Sequence, residues 1–220
     1  IAINSMHKHI RNILKDFNNN KIKSIRKSVS KIVGRNTLKL NKISLIRASI
    51  ESLGENTSDG IIAPVFWALI FGLPGIALYK TINTLDSMIG YKNTQYKEFG
   101  WASARLDDFV NIIPSRITGF LYAAVSKKFL FTMIVMIKDG NKHTSPNAGY
   151  PEAALAGALN VSLSGPRVYN NFTRYDQWLN ETGLPPSIED LKKALKMYEN
   201  IMILIISLAI LFLVYKSSIL

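Results

Sequence analysis

The chain has 220 residues and a formal net charge of +12, and it lacks cysteine, which excludes disulfides, thiolate nucleophiles and cysteine-based metal sites together. Its three histidines (His7, His9, His143) are too few and too scattered for a zinc cluster. Residues 1–50 hold twelve Lys or Arg against the single acid Asp16, and this asymmetry fits an anionic membrane surface or a cytoplasmic loop better than nucleic acid, for which neither a binding motif nor interleaved aromatics are present.

The length suits one domain. The first residue is Ile1 and the first methionine is Met6, so the sequence is expected to be a piece of a longer one; its polar, basic opening shows no signal-peptide core. Residues 1–42 read as a basic helical hairpin. Ile10, Ile13, Leu14 and Phe17 keep helical spacing up to Asn18-Asn19-Asn20, and Ile22, Ile25, Val29, Ile32 and Val33 resume it up to Gly34. A further helix is expected from about Ser44 to Glu55.

Three segments are apolar enough for a bilayer. The first, Ile61 to Tyr79, is nineteen residues long and interrupted by Pro64 and by Gly72-Leu73-Pro74-Gly75. A straight helix of that length would barely cover the ~30 Å hydrocarbon core, so a broken or re-entrant path is expected, turning near Pro74-Gly75. The second, Ile112 to Ile137, contains Lys127-Lys128 and reads as two shorter helices meeting at an interface, because a charge at mid-bilayer costs about 3 kcal/mol. The third, Ile201 to Tyr215, continues a helix whose start Ser187-Ile188-Glu189-Asp190 resembles a capping box. The fold class expected is all-α, a multi-pass membrane protein forming a single unit: the hairpin 1–42, a core 43–166, and a C-terminal helix 187–216.

Four polar clusters border these segments. Glu51, Glu55 and Asp59 fall four residues apart with Asn56 beside them, so a helix stacks like charges that a cation, an amine, an arginine or plain water must offset. "NTLDSMIGY" (83–91) brings Asn83 and Asp86. "FGWASARLDDFVNIIPSR" (99–116) brings Arg105, Asp107, Asp108, Asn111 and Arg116. "HTSPNAGYPEAALAGAL" (143–159) is a turn with Ser145, Asn147, Tyr150 and Glu152, then a helix of small residues suited to close helix contact. A solvated surface is the bland reading of the first and third clusters, and a packing helix behind an inert turn that of the fourth, but ionisable groups at a membrane border are functional by default because leaving them unpaired is costly. P-loop, dinucleotide-fingerprint, nucleophile-elbow and H-E-x-x-H motifs are absent.

In this order, "IESLGENTSDGIIAPVFW", "NTLDSMIGY", "FGWASARLDDFVNIIPSR" and "SPNAGYPEAALAGALNVSLSGP", with the weaker "KIVGRNT" at 31–37, resemble the cobinamide synthase family, the CobD/CbiB cobalamin biosynthesis proteins. The likeness spans residues 31 to 166. It implies a ligase of the cell membrane in bacteria or archaea that joins cobyric acid to 1-amino-2-propanol or its phosphate, with ATP and Mg²⁺ consumed or bound. Partners implied are the corrinoid, the aminopropanol, the lipid bilayer and other membrane proteins of the pathway.

On that reading Glu51, Glu55, Asp59 and Asp86 are catalytic candidates, able to hold the ammonium and accept its proton, and Asp107-Asp108 are metal candidates. Arg105 and Arg116 suit a phosphate. Asn56, Asn83, Asn111, Ser145, Asn147, Tyr150 and Glu152 complete the substrate-binding set. Exchanging Glu55 with Asp59, or metal duty with base duty, fits the sequence equally well. Rival readings are a non-catalytic corrinoid-binding, scaffold or transport component and, more distantly, a CDP-alcohol-type phosphotransferase, whose Arg is replaced here by Pro64. If Asp59, Asp86 and Asp107 share a site, segment 61–79 must return to the face it started from.

Overall fold

A computed structural model of the chain describes residues 3–89, 97–169 and 172–219; Gly90 and Tyr91, the end of the second motif, lie outside them. The basic hairpin is present as α1 (Ile3–Asn18) and α2 (Ile22–Val29), with Ile10, Ile13, Ile25 and Val29 fully buried. The second helix stops at Val29, short of the expected Val33. A loop takes over because tertiary anchors hold it: the Arg26 guanidinium donates twice to the Leu40 carbonyl (3.0 and 3.2 Å), and the Thr37 hydroxyl donates to the Arg26 carbonyl (3.0 Å).

At the centre runs α3 (Lys42–Thr57). Asn41 starts it by accepting the Ser44 amide at 2.9 Å, satisfying one of the donors a helix start leaves open. Leu45, Ile46, Ala48, Ile50 and Leu53 are all buried, so the helix lacks a solvent stripe and is enclosed by neighbours. Those neighbours include α1, α2 and three helices further along: α7 (Gly149–Leu159) and α8 (Ile188–Ile219) directly, and α6 (Phe129–Asp139) through α7. Small residues set the spacing. A Cβ on Gly54 would lie 3.0 Å from Leu155 Cδ1, and one on Gly157 would lie 3.0 Å from Thr132 Cα, so α7 touches both flanking helices at nearly backbone distance.

The capping box of α8 forms as expected: Asp190 Oδ2 accepts the Ser187 amide at 2.9 Å and Ser187 Oγ accepts the Asp190 amide at 3.4 Å. The first half of α8 buries Leu191, Ala194, Tyr198 and Ile201; further on, Ile203, Ile206, Leu208 and Leu211 are exposed. Likewise α5 (Lys97–Ala124) ends and α6 begins on either side of Lys127-Lys128, which occupy the exposed junction.

The chain is mostly helical, as expected, and the described residues add four short strands to the all-α reading: β1 (Leu163–Ser164), β2 (Arg167–Tyr169), β3 (Phe172–Arg174) and β4 (Trp178–Leu179) pair antiparallel as β1 with β4 and β2 with β3. Strands of two or three residues are too short for alternation to show in sequence.

Two helical stretches among the described residues are long and apolar enough to cross a membrane, Lys42–Met88 and Ile188–Leu211. The first does not run straight. α4 (Ala63–Ile89) contains Gly72 at φ 64°, ψ −146°, a backbone conformation open essentially to glycine alone, and there the helix reverses. A Cβ on Gly75 would collide with the Trp67 carbonyl oxygen, whereas eight residues along a straight helix would separate them by about 12 Å. The segment is therefore a hairpin of two helical limbs, its tip exposing Leu69, Ile70, Phe71 and Leu73. It turns at Gly72, slightly before the expected Pro74-Gly75. Pro74 lies at the start of the returning limb, where a missing N–H costs nothing.

Candidate functional site

The geometry begins where α3 widens into a single π-helical turn, Ser58–Ile62, before continuing as α4. Such one-turn π segments re-aim side chains and recur at functional sites. Asp59 stands on this turn. The returning limb of the hairpin closes over it: the Tyr79 hydroxyl donates to the Asp59 carbonyl at 2.9 Å and to Asn111 Oδ1 at 3.1 Å.

Across both limbs lies α5, pinned by the Trp67 indole, which donates to the Val110 carbonyl at 3.0 Å. Two amides aim the Asp107 carboxylate. Asn111 Nδ2 donates to Oδ2 at 3.0 Å and Asn83 Nδ2, from the returning limb, donates to Oδ1 at 3.3 Å. One turn past Asn83, Asp86 comes within electrostatic range of Asp107 and Asp108, while Asp59 feels Glu55, Asp107 and Asp86. Acids from three separate motifs thus converge.

Burial pushes the Asp107 carboxyl above the ordinary aspartate range, and Asp86 and Asp108 push it further, against the hydrogen bonds from Asn83 and Asn111. Asp108 is raised by burial and relieved by the neighbouring Arg105. Like charges so arranged favour a bound cation or ammonium. Among the described residues no group of three or more His, Asp or Glu stands in metal-binding arrangement. Magnesium needs less, since one or two carboxylates with phosphate oxygens and water suffice, and Asp107 with a neighbouring acid meets that requirement.

The third and fourth clusters lock together. Asn147 Nδ2 donates to the Asp108 carbonyl at 2.7 Å, and its Oδ1 accepts from Arg116 at 3.0 Å. The Arg116 guanidinium also donates to the Ile112 carbonyl (2.9 Å) and lies 3.8 Å over the Tyr150 ring. Ser145 Oγ accepts the amides of Asn147 (3.3 Å) and Ala148 (3.2 Å), shaping the turn that leads into α7. Arg116, Asn147 and Tyr150 therefore already join α5 to α7, whatever else they bind.

Beside the acids opens a polar cavity of about 240 Å³, lined among others by Arg35, Glu51, Glu55, His143 and Glu152. Glu55 is exposed there and links the cavity to Asp59. Glu51 is buried and committed: it takes the Arg35 guanidinium at 3.0 Å on Oε2 and the Ser164 amide at 2.8 Å on Oε1. Glu152 is also buried, with His143 Nε2 at 3.9 Å. Asn56 turns back onto the Ser52 carbonyl at 2.8 Å.

Sequence reasoning did not single out Tyr79, His143 or Arg35. His143 Nδ1 accepts the Ser145 amide at 3.0 Å, which fixes the ring at the cavity wall. Its signal was its place at the head of the fourth cluster; the lone histidine was weighed only as a zinc ligand. Tyr79 showed only as the end of an apolar run.

Comparison with known proteins identifies the family. Residues 1–198 match the family described as CobD/Cbib protein. Among relatives, the cobalamin biosynthesis protein CobD of Rhodobacter capsulatus is 50% identical over 202 residues, 92% of this chain and 64% of that protein. The protein of the same name from Brucella suis is 43% identical over 217 residues, 96% of this chain and 66% of that protein. In Rhizobium meliloti the identity is 40% over 205 residues, 90% of this chain and 63% of that protein. The chain thus spans somewhat under two thirds of the length of these relatives. No solved structure matches it significantly.

Proposed function

The chain belongs to the CobD/Cbib protein family, and from that premise we propose that it acts in cobalamin biosynthesis, forming the amide between a carboxyl of cobyric acid and the amine of 1-amino-2-propanol or its phosphate. The observation that carries the reading is the convergence of Asp59, Asp86 and Asp107 beneath a re-entrant apolar hairpin, with Asn83 and Asn111 aiming one of the carboxylates.

The chemistry asks for a place where an ammonium is held, loses a proton and attacks a carbonyl carbon. Glu55 lines the polar cavity and Asp59 lies buried within its electrostatic reach, so one of them binds the ammonium and accepts its proton. Asp107 is held in one orientation by Asn83 and Asn111 and is the natural ligand for Mg²⁺. With ATP, Mg²⁺ would supply the activation a carboxylate needs before an amine can displace its oxygen. Arg105 beside Asp108 keeps that rim from accumulating charge and can meet a phosphate. The Ser145–Tyr150 turn, braced by the buried Asn147, could offer hydroxyl and backbone groups to the amide-rich edge of a corrin.

Location follows from the same surfaces. The exposed apolar hairpin tip and the exposed end of α8 enter the cell membrane, while the basic α1–α2 hairpin faces the cytoplasm by the positive-inside rule. The test uses membranes carrying the full-length protein, given corrinoid, ATP, Mg²⁺ and aminopropanol phosphate and assayed for the amide. Loss of product in Asp107→Asn with corrinoid binding retained is the expected result. Corrinoid binding without turnover in the unaltered protein would overturn the ligase reading in favour of a scaffold.

A further inference from the structure

The weakest of the sequence motifs, "KIVGRNT" at 31–37, contributes none of the converging Asp59, Asp86 and Asp107, yet its loop walls a cavity of about 590 Å³ against α2. Lys23, Arg26, Lys27 and Arg35 line this cavity together with the side chains of Ser30 and Asn36, and no acid is among its lining residues. Lys23 and Lys27 stand four apart on a helix of only eight residues, where like charges repel and weaken the helix. Both are exposed, so their ammonium groups reach the cavity at little desolvation cost. Arg35 lines this cavity and also the polar cavity of Glu55 and His143, so the two adjoin through one guanidinium.

We propose that the cavity between α2 and the 30–38 loop binds the phosphates of a phosphorylated co-reactant, with Lys23, Lys27 and Arg35 as its charge partners. The proposal rests on the ligase reading, which requires a phosphorylated co-reactant close to the carboxyl and amine but finds no P-loop to hold one. The loop supplies what a P-loop otherwise would: cations, a hydroxyl and an amide around an open pocket. Arg35, already oriented by Glu51, turns a bound phosphate toward the acid-bearing cavity.

The experiment measures binding of inorganic triphosphate and of ATP to the detergent-solubilised full-length protein. Both lysines are exposed, so Lys23→Gln/Lys27→Gln is expected to fold normally. That variant is expected to bind triphosphate at least about tenfold more weakly, the loss of one or two charge-assisted contacts, and Lys23→Arg/Lys27→Arg to restore it. A lipid phosphate is distinguished by nanodiscs of phosphatidylglycerol against phosphatidylcholine. Stabilisation by the anionic lipid alone, lost in the glutamine variant, overturns the co-reactant proposal and assigns the cavity to the membrane surface. Unchanged triphosphate and lipid responses in the glutamine variant overturn the proposal. Its fate is separable from that of the ligase: lysine-dependent triphosphate binding without amide formation sinks the ligase alone, and amide formation with lysine-independent binding sinks the pocket alone.

Discussion

The hydroxyl of Tyr79 donates to the backbone carbonyl of Asp59 at 2.9 Å, across twenty residues of chain. A straight helix would put these residues about 30 Å apart, the thickness of a bilayer's hydrocarbon core. This one contact is why an apolar segment of membrane-spanning length brings acids together instead of parting them. It also lets Asn83 and Asp86, beyond Tyr79 on the returning limb, reach Asp107.

Topology gives the first prediction. The chain has no cysteine, so single introduced thiols report cleanly. Lys39→Cys, before α3, and Ser87→Cys, at the end of the returning limb, are both exposed positions. A membrane-impermeant maleimide is expected to label both from the cytoplasmic side in inside-out vesicles and neither in intact cells. Opposite labelling of the two would mean that the segment crosses and that the hairpin is wrong.

The hairpin turn can be probed by two glycines that fail for different reasons. Gly72→Ala meets open space but keeps a positive φ that alanine adopts poorly, a strain of about 1–3 kcal/mol. Gly75→Ala has an ordinary φ but drives its Cβ onto the Trp67 carbonyl, which cannot give way without opening the limbs. Overpacking of this kind costs about 1–3 kcal/mol. Both should lower the melting temperature of the solubilised protein, and only Gly75→Ala should also raise protease sensitivity between the limbs. Equal protease resistance in both variants would count against close limb packing.

Much of this was legible in the sequence because it rests on local signals. The helical periodicity of residues 3–29, the capping box at Ser187, the lysine break at 127–128 and the helix-breaking Gly-Pro-Gly group each encode their own outcome within a few residues. What was not legible depends on distant partners. α2 stops early because Arg26 is drawn to the Leu40 carbonyl, and the turning residue is Gly72 because of a backbone angle that residue names do not show. In the acid series at 51, 55 and 59, equal spacing suggested equal duty. The structure separates them: Glu51 is buried under Arg35, Glu55 is exposed, and Asp59 sits on a π turn that rotates it away from the helical stripe.

Asp107 carries a pH prediction. Its folded carboxyl titrates above the ordinary aspartate value because of burial, Asp86 and Asp108. Between the unfolded and folded values the native state holds the extra proton, so stability falls as pH rises through that window and stays lower above it. Asp107→Asn removes this loss. Without divalent cations the variant is expected to melt at or above the wild-type temperature at neutral pH, while adding Mg²⁺ raises the melting temperature of the wild type only. The Mg²⁺ response should fade as the medium is acidified and the carboxyl protonates. A variant with the same Mg²⁺ response as wild type would remove Asp107 from any metal role.

The Arg35–Glu51 pair decides whether the first acid of the series serves structure or chemistry. Both side chains are largely buried, and Glu51 also accepts the Ser164 amide, tying α3 to the end of β1. Truncating one partner strands a charge in a site with little water, and for buried pairs that costs about 3–5 kcal/mol. Glu51→Ala and Arg35→Ala should each be strongly destabilising, whereas the double variant should lose clearly less than their sum, because removing both leaves no orphaned charge. Glu51→Gln keeps an acceptor for the Ser164 amide and should fall between wild type and Glu51→Ala. If Glu51 only holds the fold together, activity per folded molecule in Glu51→Gln stays near wild type. A variant that melts like wild type yet forms no amide would instead return Glu51 to the chemistry.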